Sequence, residues 1–124
     1  MLENTLSIVI ESLKNKHNLS EYQIKQLLQV VKFWKKDDYI YPGYLKSKLN
    51  VSIIDAYEIL ETVKSMGILD QIYEVYCRKC SKSKGVFLNT LTSMEAYLSC
   101  DFCNHEFNSL EDTIVLYKVI NDGE

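Results

Sequence analysis

Four cysteines, arranged as two Cys-x-x-Cys pairs, are the residues of this chain whose type and spacing could do chemistry. The first pair is Cys77 and Cys80, the second is Cys100 and Cys103, and residues 81–99 separate them. Each pair can present two thiolates from one tight turn, and this spacing is typical of tetrahedral zinc sites. We therefore predict that all four cysteines hold one structural zinc ion. A site filled by four thiolates leaves no position for water or substrate, so it would stabilise the fold without taking part in a reaction.

The same cysteines could instead form two disulfides or two redox-active dithiols. The first five residues lack the basic segment and the small-residue cleavage site of an export signal, so we expect a cytoplasmic, reducing location, which favours metal binding. A thioredoxin-like motif would place one pair beside a βαβ unit, whereas both pairs here lie in a strand-rich region. His105 could replace a ligand, but the cysteines already complete the set, so we interpret it as a bystander.

The size and charge of the chain limit what surrounds this site. With 124 residues, 47% of them hydrophobic, the chain can bury one core and a small metal-held module. No apolar run approaches the roughly 18 to 20 residues of a membrane-spanning helix, so we expect no membrane insertion. The net charge is −3, and four thiolates with one divalent ion would add −2, giving −5. Such an acidic chain is not expected to bind phosphate backbones indiscriminately.

Two helices are predicted at the start of the chain. The first covers residues 2–16, and His17 beyond it is interpreted as a solvated residue near the helix end. Ser20 and Gln23 form a capping box that begins the second helix. The predicted core face of this second helix consists of Ile24, Leu27, Leu28, Val31 and Trp34.

Pro42 and Ser52 mark the beginnings of two further helices. Pro42 suits the first turn of a short helix that Asn50 can end. Ser52 suits the N-cap of the next helix, and Gly67 is the expected left-handed residue after its last turn. The apolar side of the short helix is predicted to be Tyr44, Leu45 and Leu49. The buried stripe of the longer one is predicted to be Ala56, Ile59, Leu60, Val63 and Met66.

Segments that favour β-structure flank these helices and the cysteines. Residues 39–41 and 68–76 predict strands, and the second strand runs directly into Cys77. Residues 82–85 predict a loop, whereas 86–88, 96–98 and 113–120 predict three short antiparallel strands around the cysteine pairs. This region has little apolar content, so we expect its folding to be coupled to metal binding.

The order of these elements resembles known families. Residues 39–76 resemble a winged helix-turn-helix in the pattern Leu45-x-x-x-Leu49-x-Val51-Ser52, followed by Ile59-Leu60-x-x-Val63-x-x-x-Gly67-Ile68-Leu69. Residues 73–120 resemble a zinc ribbon. Over residues 20–120 the layout is similar to the amino-terminal half of archaeal transcription factor E and its eukaryotic large-subunit counterpart, in which the winged domain acts largely in protein docking. The resemblance implies an α+β fold with a winged-helix domain over 1–72, a small antiparallel zinc ribbon over 73–124, and a role in transcription.

The helix over residues 52–66 takes the place of a recognition helix. A helix that reads DNA would present Arg, Lys, Asn, Gln, Ser or Thr, but this one carries three acids against one base, a local charge of −2. We therefore predict a protein-binding patch, with apolar anchors and an acidic rim. The predicted patch consists of Ile53, Ile54, Tyr57, Glu58 and Glu61. The alternative is that the three apolar members of the patch pack under the first helix.

A DNA-binding transcriptional regulator of the winged-helix class is the alternative function. Its contacts would come from a basic face made of Lys46, Lys48, Arg78, Lys79, Lys82 and Lys84. Scattered, solvated lysines are the simpler interpretation of these positions. Stacking of single-stranded bases on tyrosine is less favoured, because most of the nine tyrosines fall at predicted core or strand positions.

No catalytic constellation accompanies these features. The sequence has no glycine-rich phosphate loop, and outside the cysteine pairs no paired histidine and acid beside a cysteine. We therefore predict a protein that is not an enzyme and takes no small-molecule substrate. It would be an adaptor or regulatory subunit that docks to another protein within a larger assembly.

Overall fold

The computed structural model describes residues 1–91, 99–108 and 111–123. In these residues the fold is α+β, with four helices and one four-stranded sheet. The helices are α1 (Glu3–Lys16), α2 (Glu21–Val31), α3 (Pro42–Leu49) and α4 (Ile53–Ser65). The strands are β1 (Tyr39–Ile40), β2 (Leu69–Cys77), β3 (Lys82–Leu88) and β4 (Thr113–Val119). No helix in this described part is both long and apolar enough to cross a membrane.

Short-range signals set the helix ends. The hydroxyl of Ser20 accepts a hydrogen bond from the Gln23 N–H at 3.1 Å, and the Gln23 side chain accepts one from the Ser20 N–H at 2.9 Å, which completes the predicted capping box. The hydroxyl of Ser52 caps α4 in the same way. Asn50 (φ 53°) and Gly67 (φ 78°) have the left-handed backbone that follows a terminated helix.

The strand order in the sheet is β1-β4-β2-β3. β1 pairs antiparallel with β4, so that Ile40 lies opposite Tyr117, and β2 pairs antiparallel with β3. Between β2 and β4, backbone hydrogen bonds join Tyr76 to Asp112 and Ile120 to Ile68. As the chain advances from Ile68 to Tyr76, its hydrogen-bond partners run backwards from Ile120 to Asp112, so β2 and β4 are also antiparallel.

One predicted loop proved to be a strand. Residues 82–85 were expected to be a loop, but β3 begins at Lys82, directly opposite Cys77. The tight turn of the first cysteine pair returns the chain immediately, and strand pairing overrides the weak β-propensity of Gly85, which takes a φ of 75°. The strand predicted over residues 96–98 lies outside the described residues.

The chain divides into two compact units. Unit 1 comprises Met1–Asp70 and Tyr117–Glu124, and unit 2 comprises Gln71–Leu116. The predicted domains were 1–72 and 73–124. The first boundary is shifted by two residues, and the last eight residues belong to unit 1 because Tyr117 and Val119 are buried in its core. In the sequence, unit 2 is therefore inserted into unit 1: it begins within β2 and ends within β4.

Unit 1 has an apolar core to which every helix contributes. The predicted stripe of α4 is buried except for Met66, which is partly buried. Two predicted core residues are exposed instead, Leu28 at 38% and Tyr44 at 55%. Leu28 follows the buried Leu27, and Tyr44 precedes the buried Leu45. Because adjacent residues project about 100° apart around a helix, both side chains point away from the buried face. His17, predicted to be solvated, lies 2.8 Å from the Thr62 hydroxyl through its Nε2 atom and is half-buried.

Unit 2 has a much smaller apolar cluster. Val75 and Leu88 are its buried members, and Tyr73, Val86 and Phe107 pack around them. Val75 comes from β2 and Leu88 from β3, so this cluster lies within the hairpin that the first cysteine pair closes. Such a cluster supplies little of the apolar burial that stabilises a domain.

Candidate metal centre

The four cysteines converge in unit 2. All four Sγ atoms lie within 4.8 Å of one another. The Sγ atoms of Cys77 and Cys103 are 3.6 Å apart, and so are those of Cys80 and Cys100. A disulfide bond is about 2.05 Å long, so these are four free thiols.

Matching turns present the two sulfurs of each pair. We call residues 77–80 the first hook and residues 100–103 the second hook. The residue after each hook has left-handed backbone, with φ of 58° at Ser81 and 59° at Asn104. The Ser81 N–H donates to the Cys77 carbonyl at 2.8 Å, and the Asn104 N–H donates to the Cys100 carbonyl at 3.0 Å. Each hook is thus a closed turn that places its two thiols on one side.

The spacing of the sulfurs fits a tetrahedral metal ion. Four thiolates around zinc, at a zinc–sulfur distance of about 2.3 Å, lie about 3.8 Å from one another. Two of the sulfur–sulfur distances are 3.6 Å, and none exceeds 4.8 Å. Cys77 and Cys100 are buried, whereas Cys80 and Cys103 are half-buried. The four cysteines can therefore hold one metal ion close to the surface of unit 2.

The thiols are not equivalent as acids. Burial raises the pKa of Cys80 to about 12, and hydrogen bonds with the other three thiols act in the same direction. At Cys100 burial also disfavours the thiolate, but the N–H groups of Phe102 and Cys103 outweigh it and lower the pKa to about 6. Four thiolates at this spacing repel one another, so full ionisation needs a cation among them. The donor set thus suits a divalent ion that prefers sulfur.

Asp112 links the two hooks and was missed by the sequence analysis. Its side chain is fully buried and accepts hydrogen bonds from the N–H of Arg78, inside the first hook, at 3.1 Å and from the N–H of Asn108 at 2.7 Å. Burial alone would raise the pKa of this carboxyl, but these N–H groups and His105 lower it overall. No local sequence pattern distinguishes Asp112 from other acidic residues that precede a strand. Its contact with Arg78, 34 positions away, could therefore not be predicted from the sequence.

His105 contacts Asp112 and not the sulfur cluster. Its Nε2 atom lies 3.1 Å from the Asp112 carboxylate, and its carbonyl accepts a hydrogen bond from the Cys100 N–H at 2.9 Å. Among the described residues, the group that could hold a metal contains the four cysteines alone. His105 therefore connects the second hook to Asp112.

The six basic residues considered for nucleic-acid binding do not form one free basic set. In unit 2, Arg78 pairs with Glu111 at 2.7 Å and Lys84 with Asp101 at 2.8 Å, while the Lys82 ammonium lies 4.4 Å from the centre of the Phe102 ring. Lys79 is exposed on the first hook. The remaining two, Lys46 and Lys48, lie on α3 in unit 1.

The predicted patch on α4 is divided by the fold. Ile53 and Ile54 are 41% and 67% exposed, so they do not pack under another helix. Tyr57 is half-buried against the core of unit 1, with its ring 6.5 Å from that of Tyr117. Glu58 is exposed, and Glu61 accepts a hydrogen bond from the Tyr117 hydroxyl at 2.6 Å. The start of α4 is therefore its apolar exposed part, and Tyr57 belongs largely to the monomer's own packing.

No family model, curated protein or solved structure matches this chain. Its function is therefore inferred from its own geometry.

Proposed function

We propose that this protein is a non-catalytic docking subunit in which the four cysteines hold one structural Zn²⁺. The observation that carries the docking role is the exposed apolar start of α4, where Ile53 and Ile54 precede an acidic face. Exposed branched aliphatic side chains bordered by charge are typical of protein-binding sites. The partner would offer an apolar pocket bordered by basic groups.

Zinc is the metal that the donor set fits best. Four thiolates in a closed tetrahedral arrangement are typical of structural zinc sites, and zinc needs no further ligand there. The thiols must stay reduced, so the proposal requires a reducing compartment such as the cytoplasm. With no open coordination position, the ion would hold the hooks together and activate nothing.

We also propose that unit 1 is a winged helix whose wing is replaced by the cysteine-bearing unit 2. The chain order of α2, β1, α3, α4 and β2, followed by the returning strand β4, supports this interpretation. In such an arrangement α4 occupies the position of the recognition helix. Asp55, Glu58 and Glu61 on α4 would repel the phosphates of a DNA groove, which favours a protein partner over DNA.

The test is affinity purification from the native host with a surface variant of α4. Ile54→Asp places a charge at the most exposed anchor and is expected to abolish recovery of a stoichiometric partner, because a desolvated carboxylate in an apolar pocket is strongly unfavourable. The melting temperature should change little, since the side chain is 67% exposed.

Ile8→Asp on α1 is the matched control, because Ile8 is 62% exposed and lies on another helix. Recovery of the same partner by the native chain and by Ile8→Asp, but not by Ile54→Asp, is the expected result. Equal recovery by all three chains would place the interface elsewhere. Tight binding to random duplex DNA that falls steeply with salt would favour the winged-helix regulator instead.

A further inference from the structure

A groove lined by aromatic side chains lies in unit 1. Its cavity volume is about 630 Å³, within the range of sites that bind ligands or peptide segments. Five aromatic residues line it, namely Phe33, Trp34, Tyr39, Tyr41 and Tyr44. Phe33 is 68% exposed and Tyr44 55% exposed, which is unusual for such large apolar groups on a surface without a partner. We call this the aromatic groove.

The segment that forms the aromatic groove is basic, although the chain as a whole is acidic. Residues 25–48 contain six lysines and two aspartates, a charge of +4, whereas the whole chain carries −3, so the remaining residues carry −7. Asp37 pairs with Lys118 at 3.4 Å. Asp38 lines the groove, where its carboxylate accepts a hydrogen bond from a backbone N–H, a neutral donor, at 2.9 Å. Lys48 also lines the groove and Lys32 lies beside its Phe33 ring, so two ammonium groups there outnumber one carboxylate.

Two lysines sit beside the exposed rings of the groove. The Lys32 ammonium lies 5.0 Å from the centre of the Phe33 ring, and the Lys48 ammonium lies 5.6 Å from that of Tyr44. Neither lysine has a carboxylate partner within 4.0 Å among the described residues. A ligand in the groove would thus meet apolar ring surface and an unneutralised cation together.

We propose that the aromatic groove binds a short acidic peptide segment of a partner protein. A large apolar side chain of the segment would pack between the rings, and a neighbouring Asp or Glu would pair with Lys48 or Lys32. This is a second docking surface, on residues that α4 does not contribute, so it goes beyond the function proposed above and does not rest on it.

A short acidic peptide fits better than a single-stranded nucleic acid. Each of the Phe33 and Tyr44 rings has one lysine ammonium beside it, with which a single carboxylate can pair, whereas an oligonucleotide would bring a run of phosphates to a chain whose net charge is −3. Charges are screened beyond about 8 Å at physiological ionic strength. A short segment therefore responds mainly to the charges at the groove itself.

Trp34 makes the proposal directly measurable. It is the single tryptophan of the chain, it lines the groove and it is 5% exposed, so its emission reports occupation of the groove. The full zinc-loaded chain would be used to select peptides from a display library of random sequences, and the enriched peptides would be synthesised and titrated. We expect them to carry Asp or Glu beside a large apolar residue, to change Trp34 emission and to bind more weakly as salt increases.

Charge and ring variants complete the test. Lys48→Glu and Tyr44→Ala should each weaken peptide binding about tenfold or more. Lys14→Glu makes the same charge change at an exposed position of α1, and Tyr22→Ala removes a tyrosine that is 62% exposed on α2 outside the groove. Both of these controls should bind like the native chain.

Several results would overturn the proposal. These are a library that yields no peptide affecting Trp34, enriched peptides without acidic residues such as proline-rich ones, and undiminished binding to Lys48→Glu. A thymidine oligonucleotide that changes Trp34 emission at lower concentrations than the peptides would assign the groove to nucleic acid. Ile54→Asp in the same titration should have no effect, which keeps a failure here distinct from a failure of the α4 interface.

Discussion

Unit 1 encloses an apolar cluster to which all four helices contribute, whereas in the described part of unit 2 the apolar cluster has Val75 and Leu88 as its buried members, with Tyr73, Val86 and Phe107 packed around them. Unit 2 has instead the four thiols and the buried carboxylate of Asp112. A chain can bury its own apolar side chains without a ligand, whereas four close thiolates need a cation to offset their mutual repulsion. If the cysteines hold the proposed zinc ion, unit 1 is stabilised by apolar burial and unit 2 by a metal that a chelator can remove.

Removal of the metal is expected to have the largest effect. The purified chain should contain one zinc ion, and chelation or Cys100→Ser should unfold residues 71–116, because three ligands cannot complete the site and the apolar cluster is too small to replace it. Amide NMR spectra with elemental analysis would measure this. Signals from unit 1 should persist, since its core contains no metal ligand.

Ser99→Ala is the control for this prediction, because it changes an exposed neighbour of Cys100 and should leave one zinc ion per chain. Native-like chemical shifts over residues 71–116 after chelation would show that unit 2 does not depend on metal. Freshly purified protein without zinc would contradict the prediction in the same way.

A truncation in the core of unit 1 should destabilise unit 1 and leave the zinc site of unit 2 in place. Leu60 is fully buried, and Leu60→Ala is expected to lower the free energy of unfolding of unit 1 by about 2–5 kcal/mol. Leu28→Ala, at a position 38% exposed, should cost much less. Chemical denaturation followed by helical circular dichroism, with zinc content measured in parallel, tests both. If the zinc ion were lost in the same transition as the helices, the two units would be a single cooperative structure.

The smallest of these effects is expected at Asp112. Asp112→Asn keeps the shape but replaces one acceptor oxygen by an NH₂ group, which would face an N–H donor and leave it unpaired. Loss of an orienting group behind a metal site typically weakens metal affinity about 10–100-fold. Competition with a chromophoric chelator would measure the change for zinc.

Asp101→Asn is the matched comparison, because Asp101 lies inside the second hook but is exposed and pairs only with Lys84 among the described residues. Its zinc affinity should stay close to that of the native chain. Equal losses in the two variants would mean that general negative charge, and not the contacts of Asp112, supports the site.

Interactions within a few residues could be predicted from the sequence. The capping box of Ser20 and Gln23 and the N-cap at Ser52 depend on groups three positions apart, so their residue types were sufficient. The cysteine pairs are similar, because a Cys-x-x-Cys turn orients its own sulfurs and two such turns complete one tetrahedral set. The α+β class followed from the same local patterns.

The tertiary structure decided what covers each surface. Tyr117 donates to Glu61 across 56 positions of the chain and packs near Tyr57, so residues predicted to form one exposed patch were divided between surface and core. Asp112 gained its role because Arg78, 34 positions earlier, comes within hydrogen-bonding distance. The aromatic groove likewise combines residues from α2, β1 and α3. Hydrophobic periodicity predicts which face of a helix can be buried. Which segment packs on that face depends on contacts between residues far apart in the chain.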